Sequence, residues 1–207
     1  MKERYIVAYT LLGSILIFLL IFLLTRNIEM PKNQAMPWQS YINKQGKTVV
    51  FELTMEHSEL IDAARYFGIE IEASLFEQEN IEPELEVYFP STKVGGIGAN
   101  IIVNLALNDQ RIEVLRENID QSMLMPSGVK KTTFTTTGEA LMSHYQIKSL
   151  SFVPKTNLSQ EAMLKLFGKP NSTELAYPGV AYWHYPQKGL RIIVDDEHKE
   201  ILEFSNQ

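Results

Sequence analysis

The sequence predicts an α+β fold: a single N-terminal transmembrane helix, then a soluble region of two similar strand–helix–antiparallel-sheet units. Three observations predict it. Residues 5–25 (YIVAYTLLGSILIFLLIFLLT) hold no charge and no proline between Lys2/Arg4 and Arg26. The remainder alternates short β-branched and aromatic segments with short amphipathic ones. The two halves of that remainder also share local sequence at corresponding points. The expected layout is an anchor over 1–25, a linker over 26–46, a first unit over 47–135 and a second over 136–207.

As a helix, the 21-residue run Tyr5–Thr25 would span roughly 30 Å, the thickness of a bilayer's hydrocarbon core. A cleaved signal peptide has a shorter apolar core and a small-x-small cleavage site, and Leu23-Leu24-Thr25-Arg26-Asn27 offers none. A buried soluble helix that is apolar on every face would need protein on every side. With no cysteine, a lipidated anchor is excluded. The expectation is a retained single span, making the membrane a partner of residues 5–25. Lys2 and Arg4 against Arg26 and Lys32 give a slight charge bias. With the short tail before the helix, it favours the amino terminus inside: an inner (cytoplasmic) membrane, single-pass protein with its bulk periplasmic or extracytoplasmic. No G-x-x-x-G accompanies the small pair Gly13-Ser14, so no dimer through the span is implied.

Removing Lys2, Arg4 and Glu3 from totals of 19 basic and 25 acidic residues leaves 17 and 24, a net charge of −7 over 26–207. No basic cluster occurs, which argues against nucleic acid as a partner. Residues 27–46 read as linker, with Pro31, Pro37 and many amides. Trp38 and Tyr41 interrupt it and suit either a headgroup layer or docking on the domain.

Thr48–Leu53 (TVVFEL) then reads as a strand, and Thr54 as an N-cap. Leu60, Ile61, Ala64 and Phe67 make one apolar helical stripe, closed by Gly68. Strands are expected around Glu84–Phe89 and Asn100–Leu107, while Arg111–Leu115 suits a helix or a short strand equally. In the second half Gln146–Val153 is a strand, and Leu158, Ser159 and Met163 have the N′, N-cap and N4 spacing of a hydrophobic staple. That helix stops at Gly168, with Pro170 beyond. Strands around Ala181–Tyr185, Leu190–Val194 and Glu200–Phe204 follow.

The halves correspond in detail. Phe67-Gly68 and Phe167-Gly168 each end a helix. Tyr88-Phe89-Pro90 and His184-Tyr185-Pro186 each end the following strand. Gly98-Ala-Asn-Ile-Ile-Val-Asn104 parallels Gly189-Leu-Arg-Ile-Ile-Val-Asp195. One supersecondary unit used twice explains this. The run Leu158-Ser-Gln-Glu-Ala-Met-Leu-Lys-Leu-Phe-Gly-Lys-Pro170, then Trp183-His-Tyr-Pro-Gln-Lys-Gly-Leu190 and Ile192-Ile-Val194, resembles the BamE/SmpA-like domain. The resemblance covers residues 146–204, with a weaker echo at 48–115. It implies an extracytoplasmic α+β scaffold that assists envelope assembly through protein contacts. The chain departs from the family in lacking a lipidated cysteine.

Signals for chemistry are thin. His57, His144, His184 and His198 have no zinc-ligand spacing, and no thiolate exists. Glu56-His57-Ser58-Glu59 gathers polar groups, but neighbours on a first helical turn point apart. No G-x-S-x-G surrounds any serine. Lys93-Val-Gly-Gly-Ile-Gly-Ala-Asn100 lacks the flanks of a phosphate loop and precedes a strand, so it reads as a hairpin tip or bulge and not as a nucleotide site. Asp195-Asp196-Glu197 lacks calcium-loop spacing and reads as a solvated turn. Alternation buries Trp183 and Tyr185 on one face and leaves Tyr182 and His184 on the other. The expected function is therefore a non-enzymatic protein-binding or assembly module with envelope protein partners, without metal, cofactor or catalytic residue. The alternative is a membrane-tethered hydrolase or ligand-binding domain, which a deep pocket gathering Glu56, His57 or His144 would favour.

Overall fold

Strands dominate this chain. The structure, a computed structural model, describes residues 35–206, which fall within the compact unit Ala35–Gln207. A small hairpin sheet comes first: β1 (Tyr41–Ile42), β2 (Thr48–Val50) and β3 (Leu53–Thr54). Helix α1 (Leu60–Phe67) leads into a meander of β4 (Glu72–Gln78), β5 (Ile81–Val94) and β6 (Ile97–Leu105). Then come α2 (Asp109–Arg116), the hairpin β7 (Ile119–Leu124) and β8 (Lys130–Phe134), and α3 (Thr136–Leu141). The last segment is β9 (Ile147–Pro154), α4 (Gln160–Phe167), β10 (Ser172–Tyr177), β11 (Val180–Tyr185), β12 (Leu190–Asp195) and β13 (Ile201–Ser205). The ten strands β4–β13 form one sheet, in the order β10-β11-β12-β13-β9-β6-β5-β4-β8-β7. Every adjacent pair is antiparallel.

This corrects the expected fold class. The described residues are not an α+β pair of units, each with its own sheet. They are strand-rich, with both halves fused into a single sheet through β9, which hydrogen-bonds β13 on one side and β6 on the other. Short-range patterning sets strand positions, but which edges meet depends on long-range pairing that no local pattern encodes. Among the described residues no helix is long and apolar enough to cross a membrane, and none of the α-helices exceeds eight residues. The single-pass, inner-membrane placement therefore finds no support in the described structure. The expected span, Tyr5–Thr25, lies outside the described residues.

Alternation along the strands puts one face of the sheet in the core. Ala99, Ile101, Val103 and Leu105 of β6 are buried, as are Leu150 and Phe152 of β9, Leu190, Ile192 and Val194 of β12, and Leu202 and Phe204 of β13. Three aromatic anchors cover that face. Phe67 of α1 meets Phe89 of β5 at 5.6 Å, Phe167 of α4 meets Tyr185 of β11 at 6.1 Å, and Phe51 lies over Phe152 and Phe204 at 5.9 and 6.3 Å. Phe51 and Glu52 form the β2–β3 turn with φ of 53° and 63°, a left-handed conformation that side chains adopt only at a cost. Burying the Phe51 ring among four other rings offsets that cost.

Caps explain the helix starts. Asn108, Thr135 and Ser159 accept hydrogen bonds from the amides of Arg111, Gly138 and Ala162. For α1 the cap is Glu59, not Thr54: residues 54–58 close a separate turn, with the Thr54 N–H donating to Ser58 Oγ. The ambiguous segment at 111–115 is helical, because Asn108 starts α2 and Ile112 and Leu115 face the core. Pro90 does not end its strand. β5 continues to Val94 through a bulge between Phe89 and Thr92. Gly95-Gly96 is the two-residue turn joining β5 to β6, with φ of 55° and 84°. Trp38 packs edge-on to Phe167 (6.5 Å) and its carbonyl accepts from Lys188 Nζ (2.9 Å), so the described part of the expected linker is folded onto the sheet domain.

Candidate functional site

At the end of the sheet where β5 begins and β6 finishes lies a cavity of about 720 Å³. Its size falls in the range of ligand-binding clefts. The floor is apolar: Leu85, Leu105 and Ile112, with Ala106 and Leu107 beside them. The rim is acidic. Glu82 and Glu84 come from the start of β5, Asp109 from the first turn of α2, and Glu56 from the turn before α1, against Lys148 as the one basic lining residue. Glu56 is ion-paired to Lys47. That pairing, reinforced by Asn206, holds its carboxyl below the usual range.

Local sequence explains each placement. Strand alternation turns Leu85 to the core and leaves Glu84 and Glu86 on the opposite face. Asn108 caps α2, so Asp109 occupies the helix's first turn, where a carboxylate suits the dipole. On the opposite face Glu86 stands in register with Asn104, and Asn104 with Ser149. Asn104 Nδ2 donates to Ser149 Oγ (3.2 Å), and its Oδ1 is buried without a hydrogen-bond partner. Burial pushes the Glu86 carboxyl up, with Glu84 adding to the effect and Lys131 opposing it.

Of the polar residues singled out in sequence, Glu56 lines the cavity, while His57 and His144 do not. His144 Nδ1 instead meets Glu59 Oε2 at 2.7 Å on the surface. Ser58 Oγ is engaged by the Thr54 amide. Asp195 accepts from the Glu197 and His198 amides (2.8 and 3.0 Å), closing the β12–β13 turn, and these bonds lower its carboxyl. Trp183 and Tyr185 are in the core, and the Tyr185 hydroxyl donates to the Gly168 carbonyl at the end of α4 (3.0 Å). Sequence reasoning missed Glu82, Glu84, Asn104, Asp109 and Lys148. One signal was there to find: residues 66–92 hold seven glutamates and no lysine or arginine.

No protein-family model, curated protein or solved structure matches the chain. The BamE/SmpA-like resemblance thus rests on its short motifs alone.

Proposed function

We propose that this chain works by binding another protein and not by catalysing a reaction, and that the acidic cavity receives a basic segment of that partner. One observation carries the reading: a single cavity is lined both by apolar Leu85, Leu105, Leu107 and Ile112 and by the carboxylates of Glu82, Glu84 and Asp109. A lysine or arginine side chain has the matching build, with an aliphatic stem for the floor and a cation for the rim. Charges spread around a rim raise association rate and select partners more than they add affinity. The motif resemblance to an assembly scaffold points the same way.

The test is a titration of the full chain with a synthetic seven-residue peptide alternating lysine and leucine, followed by NMR shifts of the methyl groups of Leu85, Leu105 and Ile112. Saturable shifts at these methyls are expected, weakening between 50 and 200 mM salt, roughly the range over which screening tightens below 15 Å. The double variant Glu82→Lys/Glu84→Lys is expected to abolish them. Unchanged binding by the double variant, or no saturable shift at the floor, refutes the reading.

A further inference from the structure

The two outer strands of the sheet stand in different surroundings although the halves around them repeat. Reading outward from the β13–β9 pair, the sheet runs β9-β6-β5-β4 in one direction and β13-β12-β11-β10 in the other. Each helix feeds an equivalent meander: α1 into β4-β5-β6 and α4 into β10-β11-β12. The registers agree residue by residue. Glu72 faces Tyr88 as Ser172 faces His184, Ala73 faces Val87 as Thr173 faces Trp183, and Leu75 faces Leu85 as Leu175 faces Ala181. Both hairpins shift register near the end of the first strand, after Phe76 in one and, one position earlier in the correspondence, after Leu175 in the other.

The symmetry breaks at the outer edge. β4 is covered by β8, which puts Thr132 opposite Leu75 and Thr133 opposite Ser74. β10, its counterpart, pairs only with β11 among the described residues, and all six of its residues are exposed. The consequence is visible in one pair of equivalent leucines: Leu75 is 2% exposed and Leu175 is 73% exposed. Beside Leu175, on the helix-covered face, Ala181, Trp183 and Val194 line an apolar notch of about 230 Å³. Natural edge strands are commonly guarded by lysine, proline or brevity. β10 (STELAY) has neither lysine nor proline, and Glu174 is its one charge.

We propose that β10 is a strand-addition site, taking an antiparallel extended segment of a partner protein in the position that β8 occupies on β4. The register specifies the segment. The residue opposite Leu175 is apolar, completing the leucine's burial and filling the notch. The next residue along the segment is lysine or arginine, because it faces Glu174 on the other side of the sheet. Outward-facing main-chain groups of β10 supply the hydrogen bonds, and alternate side chains supply selectivity. This surface is separate from the acidic cavity, so either reading can fail while the other stands.

A suitable probe is the chain's own β8 segment, Val129–Thr135, as a synthetic peptide carrying Thr132→Leu and Thr133→Lys. Added to the full chain, it is expected to slow amide hydrogen exchange within 172–177 and to leave 119–124, the other edge, unchanged. Glu174→Lys in the protein is expected to weaken binding by about five-fold, the upper end for a cross-strand charge pair. Leu175→Lys is expected to abolish the protection while leaving the thermal midpoint in place, since the side chain is exposed. Protection confined to 119–124, protection at neither edge, or retained protection in Leu175→Lys overturns the proposal. So does finding the outward-facing amides of 172–177, those not bonded to β11, protected before peptide is added, which would mean that a second copy or another part of the chain already covers the edge.

Discussion

Replacing Gly189 with alanine tests the packing of the two halves most directly, because its sequence counterpart Gly98 provides an internal control. Gly189 has φ of 57°, and a Cβ there would lie within 2.7 Å of Thr48 Cβ and closer still to Thr48 Oγ1. Thr48 cannot yield easily. It is fully buried, its Oγ1 donates to the Ser205 carbonyl (2.7 Å), and its amide donates to Asn206 Oδ1 (2.8 Å). The left-handed conformation costs alanine about 1–2 kcal/mol. Displacing Thr48 leaves a buried hydroxyl and carbonyl unpaired, for about another 1–3 kcal/mol. Gly189→Ala is thus expected to destabilise by about 2–5 kcal/mol. Gly98 has no positive φ, and its added Cβ would meet only the side chain of Lys155, at 3.5 Å or beyond. Gly98→Ala is expected to fall within about 0.5 kcal/mol of the parent. Urea unfolding followed by the fluorescence of Trp38 and Trp183 reads both, as a change in midpoint at constant slope. Equal effects at the two glycines would refute the claim that the β2 strand wedges against the turn before β12.

Three further outcomes are expected. Phe51→Ala, which empties the space between the two halves, should cost about 3–5 kcal/mol by the same urea assay. Glu52→Gly should stabilise by about 0.5 kcal/mol, since glycine removes the left-handed penalty and gives back part of it as unfolded-chain entropy; a loss above about 1 kcal/mol would argue against the turn geometry. For Glu86 the sign follows from burial. Its carboxyl titrates higher in the folded chain than in the unfolded one, so between those two values the folded state holds more protons. Stability therefore falls as pH rises above the ordinary carboxyl range, and levels off once Glu86 is ionised in both states. Glu86→Gln should raise stability at neutral pH and flatten that part of a thermal-midpoint profile, and an unchanged profile would contradict the burial.

Particular residues show how far local sequence reaches. Ser159, Met163 and Gly168 announce α4 from end to end, because caps, staple and stop signal all act within one turn of chain. Phe67-Gly68 does the same for the end of α1. β6 and β12 are legible as strands from the β-branched runs Ile101-Ile102-Val103 and Ile192-Ile193-Val194, though not which residues face the core. By contrast β7 (IDQSML) and β10 (STELAY) carry no buried residue. Without a buried face they have no alternation to read, and pairing with β8 and β11 alone makes them strands. The β2–β3 turn was hidden for a different reason: Phe51 and Glu52 look like strand residues, and only the ring's burial holds them at positive φ.

The candidate site was less legible than the fold. The pair Glu82 and Glu84, Asp109 and Lys148 come from three separate stretches of chain and share no motif. Their meeting depends on β5, β6, α2 and β9 ending at one rim of the sheet. The glutamate-rich stretch 66–92 foretold an acidic surface, but not that it would border an apolar floor.

By itself the sequence determined the helices near residues 60–67 and 160–167, the positions of the central strands, the glycine-marked turns and the acidic balance. Each depends on interactions between residues a few positions apart, which propensity and periodicity capture. Tertiary structure alone decided that the halves share one ten-stranded sheet, that β8 covers β4 while β10 stays bare, and that carboxylates from three separate segments ring one cavity. Those outcomes turn on which strand edges pair across about fifty to sixty residues, and main-chain hydrogen bonds, alike from residue to residue, leave no mark of their partner in the local sequence.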